Sequence, residues 1–278
     1  TQVIHSIEAK HRLLLTATPT DGKPFELWAL LHYLNPKKYD NFWKFAQKYG
    51  IYRSSTYSNW TYVGPRNLDL LQKELSSIMI RRTKEQVLPD LPPVRQEIVS
   101  LEMTKEQSKI YHQMVYDGIM LKESGEVLTA LNAIAKIVRL KQLAVNPALV
   151  GGKDTSPKFD YVEEVLEEAT RPIAVFSQFK TAIDLLEQRL KKYRVVRITG
   201  DESESERERA YDAINAGKAD VCLFTKAGGE GINLTGADHL IFLDKDWSRT
   251  VLKQVRDRLH RIGQENPVLI THLVMSGT

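Results

Sequence analysis

The sequence of 278 residues has a single cysteine, Cys222, and no long apolar run. One cysteine excludes a disulfide framework, and its place inside an apolar segment favours an intracellular setting. No stretch approaches the roughly 20 apolar residues that a membrane-spanning helix needs, and no signal peptide is recognisable. We therefore expect no membrane partner. The sequence begins with threonine and stops just after an apolar strand, so we expect both ends to be cut.

The sequence also lacks a strong excess of either charge. The formal net charge is +4, although 27% of the residues are charged. This mild basicity is compatible with a polyanionic partner but does not identify one. The length suffices for two domains, each with its own core.

A distinctive segment, residues 254–264, reads QVRDRLHRIGQ. At 3.6 residues per turn, its spacing predicts an amphipathic helix that ends at Gly263, the position of a C-cap. The predicted apolar stripe is Leu252, Val255, Leu259 and Ile262. The predicted polar stripe is Gln254, Arg258 and Arg261.

Two arginines on one side of a short helix indicate contact with phosphate. The planar, permanently charged guanidinium suits phosphate, and this is the arrangement expected of arginine fingers in nucleotide hydrolysis. The alternative is that cations are simply favoured near a helix C-terminus by the helix dipole.

A glycine-rich loop precedes this segment. Residues 219–225 are predicted to form a buried strand, and residues 225–233 then read TKAGGEGIN. Three glycines in four positions permit positive φ angles and close backbone approach, so successive amides can form an anion-binding nest. Such loops also serve as ordinary turns in α/β sheets. A second buried strand is predicted at residues 237–243, and Ser248 is a plausible N-cap for the following helix.

The glycine loop, Asp246-Trp247 and residues 254–264 together resemble motifs V and VI of the Swi/Snf-like ATPases, which are DNA translocases of helicase superfamily 2. The resemblance implies that Arg258 and Arg261 are arginine fingers and that Gln254 fixes them or the nucleotide. Trp247 is either a DNA-facing brace or a core aromatic, and we expect it to be buried. The resemblance also implies residues that bind nucleotide or couple it to DNA, namely Gly229, Glu230, Gly231 and Asn233.

Other segments resemble further family motifs at strand ends. Residues 11–16 are predicted to form a short buried strand, which leads into a motif III-like loop. Residues 177–178 resemble motif IV, and an Arg-Arg-x-Lys cluster before Leu-Pro-Pro resembles the junction between two lobes. The contacts to the DNA backbone implied by these segments are Thr16, Thr18, Ser177, Gln178, Thr199, Gly200, Thr225, Lys226, Arg81 and Arg82.

The fold class follows from the order of the predicted elements. From Lys158 onward helices and strands alternate, which predicts an α/β domain with a mostly parallel sheet and helices on both faces. With the resemblance, residues 94–278 are a RecA-like helicase lobe with a helical insertion near 104–147. Residues 1–93 are then part of a first RecA-like lobe with a helical protrusion and a proline-rich linker. Aromatic residues are dense at 39–62, which favours the core of a small helical subdomain over stacking on single strands.

The sequence contains neither G-x-x-x-x-G-K-[ST] nor Asp-Glu-x-His. The resemblance implies ATP and Mg²⁺ as cofactors, held mainly by a part of the first lobe that this chain lacks. It implies duplex DNA as the partner, bound through its phosphate backbone, and no metal-ligating residues here. We expect the chain alone to hydrolyse little ATP. The alternatives are an RNA helicase of the same superfamily and a non-catalytic nucleic-acid-binding module.

Overall fold

The computed structural model describes residues 9–54, 60–123, 130–228 and 231–278. The chain divides into two compact units, Thr1–Val87 and Leu88–Thr278. The division falls at the start of the proline-rich segment that the sequence places between two domains. In the described part of the chain, no helix is long and apolar enough to cross a membrane.

The described residues of the first unit form four α-helices, a short 3-10 helix (Pro24–Glu26) and one antiparallel strand pair. Its elements are α1 (Leu27–Leu34), α2 (Phe42–Tyr49), β1 (Gly50–Arg53), β2 (Thr61–Pro65), α3 (Leu68–Leu75) and α4 (Lys84–Val87). Tyr39, Phe45 and Tyr49 are buried together with leucines of α1 and α3. The expected core role of the aromatic segment is therefore confirmed for these three rings, whereas Trp43 and Trp60 stay about half exposed.

The second unit is a six-stranded sheet with helices. Its elements are β3 (Val94–Leu101), α5 (Lys105–Glu123), α6 (Ala130–Val145), α7 (Pro157–Glu168), β4 (Ile173–Phe176), α8 (Lys180–Arg189), β5 (Val195–Ile198), α9 (Glu204–Asn215), β6 (Val221–Phe224), β7 (His239–Phe242), α10 (Arg249–Arg256) and β8 (Val268–Met275).

The strand order is β3-β8-β7-β4-β6-β5, and each neighbouring pair is parallel. The predicted α/β class with a parallel sheet is confirmed. The central strands β4 and β6 are buried at every residue, as expected of parallel strands that are covered on both faces.

Two apolar layers lie on opposite faces of this sheet. One contains Ile214 of α9 and Val251 of α10, and the other contains Phe159 of α7 and Ile183 of α8. Alternate side chains of one strand enter different layers, as Cys222 and Leu223 of β6 do. The sheet thus fixes the strand ends from which the loops of the candidate site emerge.

One predicted strand is wrong. Residues 11–16 form no strand, and Leu13 and Leu15 are 80% and 89% exposed. A buried strand needs neighbouring strands to satisfy its backbone groups. The described residues of the first unit form only the β1–β2 hairpin, which does not include this segment.

Candidate nucleotide site and nucleic-acid interface

Helix α10 leads into the predicted arginine segment. The Ser248 hydroxyl accepts a hydrogen bond from the Val251 amide at 3.3 Å, which confirms the predicted N-cap. Val251 and Val255 are buried one turn apart and hold the helix on the sheet. Gln254 lies on the same helix, partly exposed.

The predicted length of this helix is wrong. It ends at Arg256, and residues 257–263 form turns. The Arg258 carbonyl accepts from the Leu234 amide at 2.9 Å, and the Leu259 carbonyl accepts from the Gln264 side chain at 3.3 Å. These two bonds take the place of helical ones, so Ile262 leaves the apolar stripe and is 72% exposed. Gly263 has the expected positive φ of 97°, but within a turn rather than at the helix end.

The two arginines converge on one backbone atom. The Ile232 carbonyl oxygen accepts from Arg258 Nη1 at 3.5 Å and from Arg261 Nη1 at 3.3 Å. Both side chains are half-buried. Within the described residues, no carboxylate lies within salt-bridge distance of Arg261. The arginine turn and the glycine loop are therefore one assembly, with two guanidinium groups at its surface.

The glycine loop can reach its position only without a side chain. A Cβ on Gly228 would lie 1.9 Å from the Thr199 carbonyl oxygen, a distance that no real contact allows. Gly231 has a φ of 80°, which confirms the predicted left-handed geometry. Gly229 and Glu230 lie outside the described residues. The buried Asn233 Oδ1 has no hydrogen-bond partner within the described ranges.

The Thr199 side chain stabilises its own loop. Its hydroxyl is buried and donates to the Glu202 carboxylate at 2.8 Å, and Arg197 Nε donates to the same carboxylate at 3.1 Å. Burial alone would raise the pKa of Glu202, but the bonds from Thr199 and Arg197 outweigh it and lower that pKa. Gly200, next along the chain, is exposed, so this loop offers its backbone at the surface.

Ser177 and Gln178 both face a buried carboxylate. The Ser177 hydroxyl donates to Asp244, and the Gln178 side-chain amide donates to Asp244 Oδ1 at 2.8 Å. Ser177 is fully buried, so its side chain stabilises the interior of the unit instead of lying at the surface. The sequence contains no local signal for this, because the partners are more than sixty residues apart.

Lys158 accompanies Asp244 inside the unit. Its Nζ donates to the Leu243 carbonyl at 2.6 Å and to the Leu273 carbonyl at 2.9 Å. Burial lowers the pKa of Lys158 to about 8, against the attraction of Asp244. Burial also raises the pKa of Asp244, against the hydrogen bonds from Ser177 and Gln178. The Ser-Pro-Lys segment at 156–158 thus anchors the ends of β7 and β8.

The remaining predicted contacts differ in exposure. Thr16, Arg81, Arg82 and Lys226 are exposed, and Thr18 is half-buried. Thr225 is 6% exposed, and its amide donates to the Ile198 carbonyl at 3.1 Å. Lys226 is therefore the more accessible of the two residues that follow β6.

The expectation that Trp247 is buried is wrong, because 70% of this residue is exposed. The chain leaves the sheet after β7 to start α10, and the Ser248 amide bonds Asp246 Oδ1 at 2.8 Å in the turn between them. Lys141 covers one ring face instead of the core, with its Nζ 4.3 Å from the ring centroid. No local signal reveals this contact, since Lys141 lies on the distant helix α6.

His260 provides another contact that sequence reasoning missed. Its Nε2 lies 2.9 Å from the Pro92 carbonyl oxygen. A carbonyl can only accept a hydrogen bond, so Nε2 carries the proton. This bond ties the arginine turn to the proline-rich segment before β3.

These residues fit one side of a nucleotide site better than a metal site. Two half-buried guanidinium groups that lie side by side are suited to phosphate. In the described ranges, no group of three or more histidine, cysteine or acidic residues could hold a metal ion.

Comparisons with known proteins agree with this geometry. The SNF2-related domain matches residues 1–149, and the helicase conserved C-terminal domain matches residues 157–263. A mouse SWI/SNF-related matrix-associated actin-dependent regulator of chromatin, subfamily A member 1, is 29% identical over 100% of this chain and 28% of its own length. Human chromodomain-helicase-DNA-binding protein 1 is 29% identical over 98% of this chain and 17% of its own length.

A solved structure covers the whole chain. The Sulfolobus solfataricus SWI2/SNF2 ATPase core in complex with dsDNA superposes with a TM-score of 0.57 and 27% identity, covering 100% of this chain and 60% of that one. This chain spans less than a third of the length of the curated relatives named above.

Proposed function

The chain belongs to the SNF2-related family, and from that premise we propose that it forms part of an ATP-driven motor that moves along duplex DNA. The observation that carries the proposal is the convergence of Arg258 and Arg261 on the Ile232 carbonyl of the glycine loop. Residues 94–278 form the second RecA-like lobe in this proposal, with a helical insertion near 104–147. Residues 1–93 form the end of the first.

The arginine pair stabilises negative charge that develops on phosphate in the transition state. The guanidinium groups are permanently charged, and the Ile232 carbonyl holds both in place before the reaction, so little reorganisation is needed. An arginine finger is worth about 10³–10⁵ in rate in other nucleotide hydrolases. Gln254 fixes the arginines or the nucleotide.

The glycine loop couples the nucleotide to DNA. Gly228 packs against the Thr199 backbone, so a shift of the loop that holds Ile232 displaces the loop that carries Gly200. Gly200 and Lys226 are exposed and contact the DNA backbone, as do Thr16, Thr18, Arg81 and Arg82. Ser177, Gln178, Thr199 and Thr225 contribute by fixing the strand ends from which these contacts emerge.

ATP and Mg²⁺ are the proposed cofactors, and protein groups outside these 278 residues hold most of both. The sequence has no G-x-x-x-x-G-K-[ST] segment to cradle the phosphates. The chain by itself therefore hydrolyses little ATP. An intracellular setting remains part of the proposal, supported by relatives that are named for chromatin.

Duplex DNA is favoured over RNA as the track because the superposed Sulfolobus core was solved with dsDNA. The test uses the intact protein and measures ATP hydrolysis with duplex DNA, with duplex RNA and without nucleic acid. We expect stimulation by DNA in the native protein and loss of hydrolysis in Arg261→Ala. Arg209→Ala, which removes an exposed arginine of α9, should keep the native rate.

Stimulation by RNA alone would favour the RNA-helicase alternative. Binding of DNA with no hydrolysis by the intact protein would favour a non-catalytic module. Full activity of Arg261→Ala would remove the finger assignment.

A further inference from the structure

A basic groove lies beside α10, outside the residues assigned above. It encloses about 320 Å³ between this helix and the strands β3, β7 and β8. We call it the α10 groove and define it by Gln96, Lys245, Arg249, Lys253, Arg256 and His272, which line it.

The charged residues that line the α10 groove are all positive. Arg249, Lys253 and Arg256 follow at i, i+4 and i+7 and so share one side of the helix. No aspartate or glutamate lines the groove. Among the described residues, only Arg256 of the four cations has an ion pair, with Asp257 at 3.3 Å.

Ordinary helix energetics accounts for only part of this arrangement, because Lys253 and Arg256 lie in the last turn, where the helix dipole favours a positive charge. Like charges at i and i+4 repel each other, so Arg249 and Lys253 destabilise the isolated helix. Arg249 is also the first residue of α10, where the helix dipole disfavours a positive charge. An anionic ligand would offset both effects.

The base of the groove offers a further polar atom. The His272 ring stacks on Phe242 with centroids 4.7 Å apart and planes 13° apart, and its buried Nδ1 has no hydrogen-bond partner in the described residues. Burial and the neighbouring Lys245 lower the pKa of His272. The ring is therefore neutral near pH 7, so one of its nitrogens is a donor and the other an acceptor at the wall of the groove.

We propose that the α10 groove binds phosphate groups of a nucleic-acid backbone, as a contact separate from Arg258 and Arg261. The three helix cations extend over about 10 Å of helix, which suits successive backbone phosphates better than one small anion. Gln254 lies about 100° around the helix from Lys253 and does not line the groove. The choice of nucleic acid as the ligand rests on the proposed function.

The test compares two double variants of the 278-residue chain that lose the same charge. Arg249→Gln/Lys253→Gln alters the groove, and Lys191→Gln/Lys218→Gln removes two exposed lysines elsewhere in the unit. Binding of a fluorescein-labelled DNA duplex is measured by anisotropy at several salt concentrations. Each phosphate contact contributes about 0.9 to the slope of log affinity against log salt.

We expect the groove variant to lose about 2 from this slope and about tenfold or more in affinity at low salt, while the control pair stays within about twofold. Lys245→Gln, which lies outside the helix, should lower the slope by about 1 and guards against a folding defect of α10. Equal losses in both double variants, or no loss in either, would overturn the proposal.

Competition separates the possible sources of the anion. Unlabelled duplex should displace the label from the native chain but act more weakly on the groove variant. If inorganic phosphate or polyglutamate competes as well as the duplex at equal charge, the groove is a general anion site and the proposal fails. ATP hydrolysis by Arg261→Ala tests the proposed motor separately. It is measured on different residues from DNA binding by the groove variant, so either proposal can fail without the other.

Discussion

Each unit contains a carboxylate that several donors hold, Glu74 in the first and Asp244 in the second, and the two are held in opposite ways. Glu74 in the first unit accepts from the Tyr39 hydroxyl at 2.9 Å and from Lys38 and Lys48 at 3.2 Å, and also from the Tyr49 hydroxyl. Asp244 in the second unit is 5% exposed and is bonded by uncharged donors from Ser177 and Gln178.

The surroundings shift the pKa values of Glu74 and Asp244 in opposite directions. Burial alone would raise the pKa of Glu74, but the bonds from the tyrosines and lysines outweigh it and lower the pKa to about 2. For Asp244 burial dominates and raises the pKa. The Glu74 cluster therefore stabilises its unit through charge. The Asp244 cluster contributes little net energy and instead fixes which strand ends lie together.

The largest expected effect follows removal of Asp244. Asp244→Ala leaves the Lys158 ammonium buried and three donors without this acceptor, namely the Ser177 hydroxyl and the backbone and side-chain amides of Gln178. We expect the free energy of unfolding of the second unit to fall by about 3 kcal/mol. This is the low end of the range for loss of a buried charged partner, because Lys158 has a lowered pKa and can release its proton. Labelling of Cys222, the sole cysteine and buried in β6, measures this unfolding in urea.

Asp212→Ala, an exposed position on α9, is the matched control and should change stability by less than about 0.5 kcal/mol. If Asp244→Ala also changed stability by less than about 0.5 kcal/mol, the buried cluster would be dispensable, and the contrast between Asp244 and Glu74 would be wrong.

The next effect concerns Glu74. Glu74→Gln keeps the shape but removes the charge that four donors stabilise. Its pKa shift corresponds to about 3 kcal/mol, and partial exposure reduces this to about 2 kcal/mol. Urea denaturation followed by tryptophan fluorescence measures it, because Trp28, Trp43 and Trp60 lie in the first unit. Glu85→Gln, an exposed glutamate of the same unit, should have a much smaller effect.

Lowering the pH should affect the stability contributions of Glu74 and Asp244 in opposite directions. The folded-state pKa of Glu74 lies below its unfolded value of 4.5, so its contribution is present above about pH 4.5 and is lost as the pH falls towards 2. Asp244 has a raised folded-state pKa, so protonation in the same range favours its folded state. The tryptophan transition of the first unit should shift to lower urea between pH 5 and 3, and this shift should vanish in Glu74→Gln. An equal shift in that variant would contradict the assignment.

The smallest effect is expected at the rim of the Glu74 cluster. Lys48 is 52% exposed at its side chain, so its pair with Glu74 is screened by water. Lys48→Met should cost less than about 1 kcal/mol, even though the bond lengths match those of buried pairs. A loss as large as that of Glu74→Gln would mean that a single lysine, rather than the whole set of donors, stabilises the carboxylate.

Local signals in the sequence predicted much of the second unit. The buried strands predicted at residues 219–225 and 237–243 are confirmed as β6 and β7, because continuous apolar runs define strands that are covered on both faces. The contact of Arg258 and Arg261 with the Ile232 carbonyl was not predicted, because it joins segments more than twenty residues apart.

Errors arose where distant residues decide the structure. α10 ends early because Leu234, far upstream, takes the Arg258 carbonyl. Trp247 lies at the surface, where its ring meets Lys141 of the distant helix α6 rather than the core. Leu13 and Leu15 lack a neighbouring strand in the described residues, and no periodicity in their own segment could show this.

The central claim is that the guanidinium groups at the Ile232 carbonyl act on the transition state and not on substrate affinity. The most direct measurement is single-turnover ATP hydrolysis by the intact protein with saturating ATP and duplex DNA, comparing the native protein with Arg258→Ala/Arg261→Ala. We predict a fall in rate of about 10³–10⁵ with little change in the ATP concentration at half-saturation. An unchanged rate, or a loss that more ATP restores, would contradict the account.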